Sequence, residues 1–152
     1  MVSALPPDED DPRRWRGDTP MLNITDDRLR LRVKTVLQFS RTEPERLRAI
    51  CNYVADIPFN VLAFTRMKST RRTLARRHAV GWYSKAALFQ AMLRAAGFAA
   101  RVRMIRIGPD MHRGLTDGQG SFVLPVVEVW TGGRWVVTDN YVLGRYGTAT
   151  LA

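Results

Sequence analysis

Hydrophobic positions recur first with a helical period and later with a strand period. Thr25 and Asp26 are both suitable N-caps, and after them Leu29, Val33, Val36 and Leu37 fall on one side of a helix of about three turns. In TEPERLRAICNYVAD, Thr42 and Glu45 have capping-box spacing, and Leu47, Ile50, Cys51 and Val54 line one helical face that Pro58 ends. Residues 57–64 read as extended or irregular, and Ser69 caps a short basic helix with Arg71, Arg72, Arg76 and Arg77. The stretch from Trp82 to Ala96 is rich in Ala, Leu and Met and apolar on most sides, the pattern of a helix buried at the centre of a domain. Gly97 stands where its C-terminal stop belongs. Three strands are predicted next, Ala99 to Ile107, Phe122 to Trp130 and Arg134 to Asp139, with the paired glycines of TGGR turning the second into the third.

The expected fold is therefore α+β: N-terminal helices and a buried central helix packed on a small antiparallel sheet, forming a single domain over residues 23–152. Residues 1–22 mix prolines, the acidic run Asp8 to Asp11 and the basic Arg13, Arg14 and Arg16, with little apolar periodicity beyond Trp15. They read as a mobile or loosely docked N-terminal arm.

Composition narrows the chemistry. A chain of 152 residues, 45% hydrophobic and 25% charged, can close one core without a disulfide or a metal. Its single Cys excludes an intrachain disulfide and Cys₄ or Cys₂His₂ zinc sites, and two histidines leave little for a catalytic metal, so neither metal nor cofactor is expected. No apolar run approaches the ~20 residues of a membrane span, and the opening residues lack the apolar stretch of a secretory signal, so a cytoplasmic protein with no membrane partner is the expectation. A net charge of +10 fits an acidic partner. Only Lys34, Lys68 and Lys85 are lysines, however, and an arginine excess of this kind also arises from codon bias in a GC-rich genome, leaving a solvated surface as the simpler reading.

The segments GWYSKAALFQAMLRAAGFAARVR and VVEVWTGGRWVVTDNYV, within residues 81–142, resemble the core of the transglutaminase-like superfamily. The likeness is carried by Lys85-Ala86 early in the helix, Leu93 to Gly97 at its end, Ala100-Arg101 opening the next strand, and the hairpin from Glu128-Val129 to Gly133-Arg134-Trp135. It implies a papain-like fold, with a Cys at the start of the central helix, a His on a strand and an Asp on the strand after it. In that arrangement a helix N-terminus lowers the thiol pKa, the imidazole takes its proton, and the carboxylate fixes the imidazole tautomer. Matched on its motifs, this sequence has Trp82 at the nucleophile position, or Tyr83 with a register slip of one. Leu124 stands at the histidine position, while Asp139 retains the acid. An indole and an isobutyl group can do neither part of thiol catalysis. The spacing of Cys51 puts it on the packed face of a different helix.

The resemblance leaves a set around the old site: Trp82, Tyr83, Lys85, Leu124 and Glu128 as ligand-binding candidates, with Ser84 among them. Glu128 lies two alternations from Leu124 and so on the same strand face. Such an aromatic and apolar inventory suits a small-molecule pocket, or a plain core in which Trp and Leu fill vacated volume. A carboxylate in a Val-rich strand needs a cation, which Arg101 or Arg103 can supply. For acid–base chemistry the candidates are Asp139, His112 in the polar loop GPDMHRGLTDGQG, and Tyr83; His78, beside Arg76 and Arg77, is weaker.

Three functions follow as expectations. The first is a transglutaminase-like domain without thiol catalysis that binds a small hydrophobic or acidic ligand, or a partner protein, as a scaffold. The second is an enzyme with repurposed acid–base chemistry, such as cyclisation, isomerisation or condensation of a hydrophobic biosynthetic intermediate. The third is nucleic-acid binding through Arg66, Lys68, Arg71, Arg72, Arg76 and Arg77, which no known nucleic-acid motif accompanies.

Overall fold

A computed structural model describes residues 7–57, 70, 82–108 and 122–138. Two 3-10 turns, Pro7–Asp10 and Pro12–Trp15, precede the helices α1 (Asp27–Val36), α2 (Glu43–Ala55) and α3 (Trp82–Ala95), and the strands β1 (Ala100–Ile107), β2 (Phe122–Thr131) and β3 (Arg134–Thr138) complete the described part. The strands form an antiparallel sheet in the order β1-β2-β3. The predicted basic helix after Ser69, apart from Thr70, and the candidates His78, His112 and Asp139 lie outside the described residues.

Local signals set the helix ends. Of the two candidate caps, Asp26 starts α1, its carboxylate accepting from the amides of Arg28 and Leu29. At α2 the box closes reciprocally: Thr42 Oγ1 accepts from the Glu45 amide, and the Glu45 carboxylate accepts from the Thr42 amide. α3 ends in a Schellman turn: the Phe98 amide donates to Leu93 O at 3.0 Å and the Gly97 amide to Arg94 O at 2.9 Å, with Gly97 at φ 93°.

Three layers meet at α3. Leu29 and Val33 of α1, Leu47, Ile50 and Val54 of α2, and Ala100, Val127 and Val129 of the sheet share one apolar cluster with Ala86 to Phe89 and Ala91 to Leu93. From Ser84 through Arg94 every residue of α3 is buried, as its all-round apolar pattern predicts. That burial encloses the polar side chains of Lys85, Gln90 and Arg94, and each donates to main-chain oxygen. Gln90 Nε2 reaches Ala100 O at 3.2 Å, and Arg94 Nε reaches the same oxygen at 2.9 Å, tying the helix to the start of β1.

The leading segment lies against this body. Asp11 caps the second 3-10 turn and pairs with Arg13 at 2.8 Å, while Trp15 Nε1 donates to Glu9 O at 2.8 Å. Arg94 Nη1 donates to Gly17 O at 2.7 Å, with its guanidinium over the Trp15 ring at 5.9 Å. Asp18 then gathers the amides of Thr19 and Ile24 and the Thr25 hydroxyl. Burial raises its pKa and these donors lower it more, leaving it below the ordinary carboxylate value. The turn it organises delivers Leu22 into the core.

A methyl group at Gly97 meets nothing within 4 Å, so its cost is conformational alone. Gly97→Ala is expected to lower stability by about 1–2 kcal/mol, read as a fall in the urea midpoint at unchanged slope. An unmoved midpoint would contradict the role given to its left-handed backbone.

Candidate functional site

The opening turn of α3 and the facing strand carry the residues singled out in the sequence. Tyr83 is half-buried and Ser84 and Lys85 are buried. Lys85 Nζ donates to Ile57 O at 3.0 Å and to Ala55 O at 3.4 Å, the carbonyls at the end of α2. The physical reason lies in α2 itself. Its last turn holds no basic residue and its C-cap is Asp56, so the negative end of its dipole meets another negative charge. Lys85 supplies the missing cation from a different helix. Burial lowers the Lys85 pKa and the Asp56 carboxylate opposes that shift.

On β2 the pairing Ile105↔Leu124 and Arg101↔Glu128 puts Leu124, Val126 and Glu128 on one face, alternating with Val127 and Val129, which join the cluster around α3. Leu124 and Glu128 are both buried. Glu128 Oε2 accepts from Arg101 Nε at 2.6 Å, and Oε1 lies 3.4 Å from Arg103 Nε, so the carboxylate has the cross-strand partners its apolar surroundings require. Arg101 stacks on the Trp135 ring at 4.1 Å, and Trp135 meets Trp130 edge-on at 5.6 Å. Lys85 thus engages α2 while Glu128 engages β1, and each is held by structural partners.

Two features escape the sequence reading. One is the capping of α2 by Lys85, for which the signal is a helix end lacking its own basic residue. The other is the docking of the leading segment, where Arg101 Nη1 donates to Glu9 O at 2.7 Å and meets the Asp10 carboxylate at 3.1 Å, and Trp135 Nε1 donates to Asp10 O at 3.1 Å. Among the described residues no group of three His, Cys, Asp or Glu side chains gathers as metal ligands, and no helix is long and apolar enough to cross a membrane.

A three-stranded antiparallel sheet packed on a helix buried from Ser84 to Arg94 makes this an α+β domain. The model of the transglutaminase-like superfamily matches residues 32–140, and the chain belongs to that superfamily. The crystal structure of a candidate cysteine protease from Cytophaga hutchinsonii has a similar fold, with a TM-score of 0.67 over 91% of this chain at 16% identity. This chain covers 44% of that one. No curated protein sequence matches it.

A double-mutant cycle tests the buried pair. Arg101→Met leaves the Glu128 carboxylate only the more distant Arg103 and is expected to cost about 3 kcal/mol in urea unfolding, whereas Arg101→Met with Glu128→Met should recover much of that loss. Additive losses would contradict the pairing.

Proposed function

We propose that this is a transglutaminase-like domain without thiol catalysis, a pseudoenzyme that binds a ligand or scaffolds a partner. The observation that carries the reading is the place of the single cysteine. Cys51 lies on α2, packed against the core, and burial pushes its thiol up to about 11. A thiol in that state is protonated at neutral pH, the opposite of the lowered pKa that activates cysteine nucleophiles. The position that the superfamily resemblance assigns to the nucleophile holds Trp82, or Tyr83, and the position of the base holds Leu124. In this reading the ligand side of the domain is the opening turn of α3, where Tyr83 is half-buried and Lys85 braces the helix against α2, while Leu124 and Glu128 lie on the sheet face turned away from α3. No cofactor takes part, and the medium is the cytoplasm.

Two substitutions test this. Cys51→Ala is expected to leave function intact, with only a modest loss of stability from the trimmed core; a folded variant without function would overturn the assignment. For Asp139→Asn, affinity for the bound molecule should stay nearly unchanged once a ligand has been found by thermal-shift screening of hydrophobic acids. A turnover on that ligand that falls about 10²-fold in the variant, with affinity intact, would instead establish a repurposed enzyme in which Asp139 moves or orients a proton.

A further inference from the structure

Within the described residues, the segment from Glu9 to Gly17 is gripped chiefly by its main chain. Arg101 and Trp135 take the carbonyls of Glu9 and Asp10, and Arg94 takes that of Gly17. Side chains add the Asp10 carboxylate against Arg101 and the Trp15 ring under Arg94. No residue of the turn Pro12–Trp15 is buried, so little apolar area holds the segment down. Of the gripping residues Arg94 and Arg101 are buried and Trp135 is half-buried, and each is held by partners within the body. The side chain of Arg101 is 4% exposed, bonded to Glu128 and stacked on Trp135, and Arg94 is bonded to Ala100 O.

We propose that Arg94, Arg101 and Trp135 form a docking site for an acidic peptide segment of another protein, and that residues 9–17 occupy it in cis as a self-ligand which the partner displaces. Three properties fit this exchange. Donors aimed at main-chain carbonyls accept any extended peptide of suitable geometry, while the cation on Asp10 selects for acid. The run Asp8 to Asp11 is the densest group of acids in a chain of net charge +10, and within it the Asp10 carboxylate meets Arg101 of the body. The segment joins the core through Gly17, where a side chain would meet nothing within 4 Å, and Asp18 fixes the turn that follows, so residues 9–17 can leave while Leu22 stays anchored. This surface uses residues other than those at the opening turn of α3, and either reading can fail without the other.

The probe is a fluorescein-labelled peptide of residues 5–18, LPPDEDDPRRWRGD, and a control with the acids at 8–11 replaced by Asn. In the full chain, Asp10→Asn with Trp15→Ala loosens the self-ligand without touching the site. By anisotropy this variant is expected to bind the peptide at least about ten-fold tighter than the unaltered chain, because the fraction of open site rises. The control peptide should bind about ten-fold more weakly. Adding Trp135→Phe, which keeps an aromatic face under Arg101 and removes the indole N–H, should weaken the probe several-fold. With the unaltered chain, saturating peptide should raise hydrogen exchange across residues 9–17, a readout that needs no variant. Absence of saturable binding to the loosened variant, equal binding of both peptides, or indifference to Trp135→Phe would each overturn the proposal. Concentration-dependent dimerisation of the loosened variant that blocks the probe would overturn it too, by making the occupant a second copy.

Discussion

A helix enclosed by protein on every side has no water for its charged groups, and that constraint organises this molecule around α3. Lys85 at one end and Arg94 at the other each deliver a cation into the interior, where leaving it without acceptors would cost several kcal/mol, on the order of the whole stability of a small domain. Both are matched to main-chain carbonyls of other elements: the end of α2 for Lys85, and the start of β1 together with Gly17 for Arg94. Lys85 sits in the opening turn of its own helix, where a positive charge opposes the dipole, and at the closing turn of α2, where it favours it. The same ammonium therefore settles how two helices meet, and the same guanidinium settles where the leading segment and β1 lie.

This arrangement bears on the proposed function. Two of the polar candidates are already engaged: Lys85 with α2, and Glu128, on the sheet face turned away from α3, with Arg101 and Arg103. In the proposed reading, binding at the opening turn of α3 then falls to residues other than Lys85, with Tyr83 half-buried there.

Much of this is legible in the sequence, and the legible parts share a property: their signals are local. Thr42 with Glu45, Gly97 two residues past α3, the glycines at 132 and 133, and the unbroken apolar run of α3 each fix an element within a few residues. The choice of Asp26 over Thr25 as cap, and of Arg101 over Arg103 as the closer partner of Glu128, depends on register. The docking of residues 9–17 and the capping of α2 are not legible, because the acceptors are backbone carbonyls. Every residue has one, so neither composition nor spacing distinguishes Ile57 or Gly17, which lie 28 and 77 positions from the cations that hold them. Lys85 reads in sequence as a residue of the family's helix and a ligand candidate; only its bonds reveal a cap.

The most direct test of this account is the stability of Lys85→Met, a change that keeps the length and apolar bulk of the side chain while removing its ammonium. If Lys85 closes the end of α2, the variant should lose about 1–3 kcal/mol, and hydrogen exchange should rise first at residues 53–57. An unchanged or higher stability, with those amides still protected, would contradict the claim that buried cations on backbone carbonyls hold this fold together.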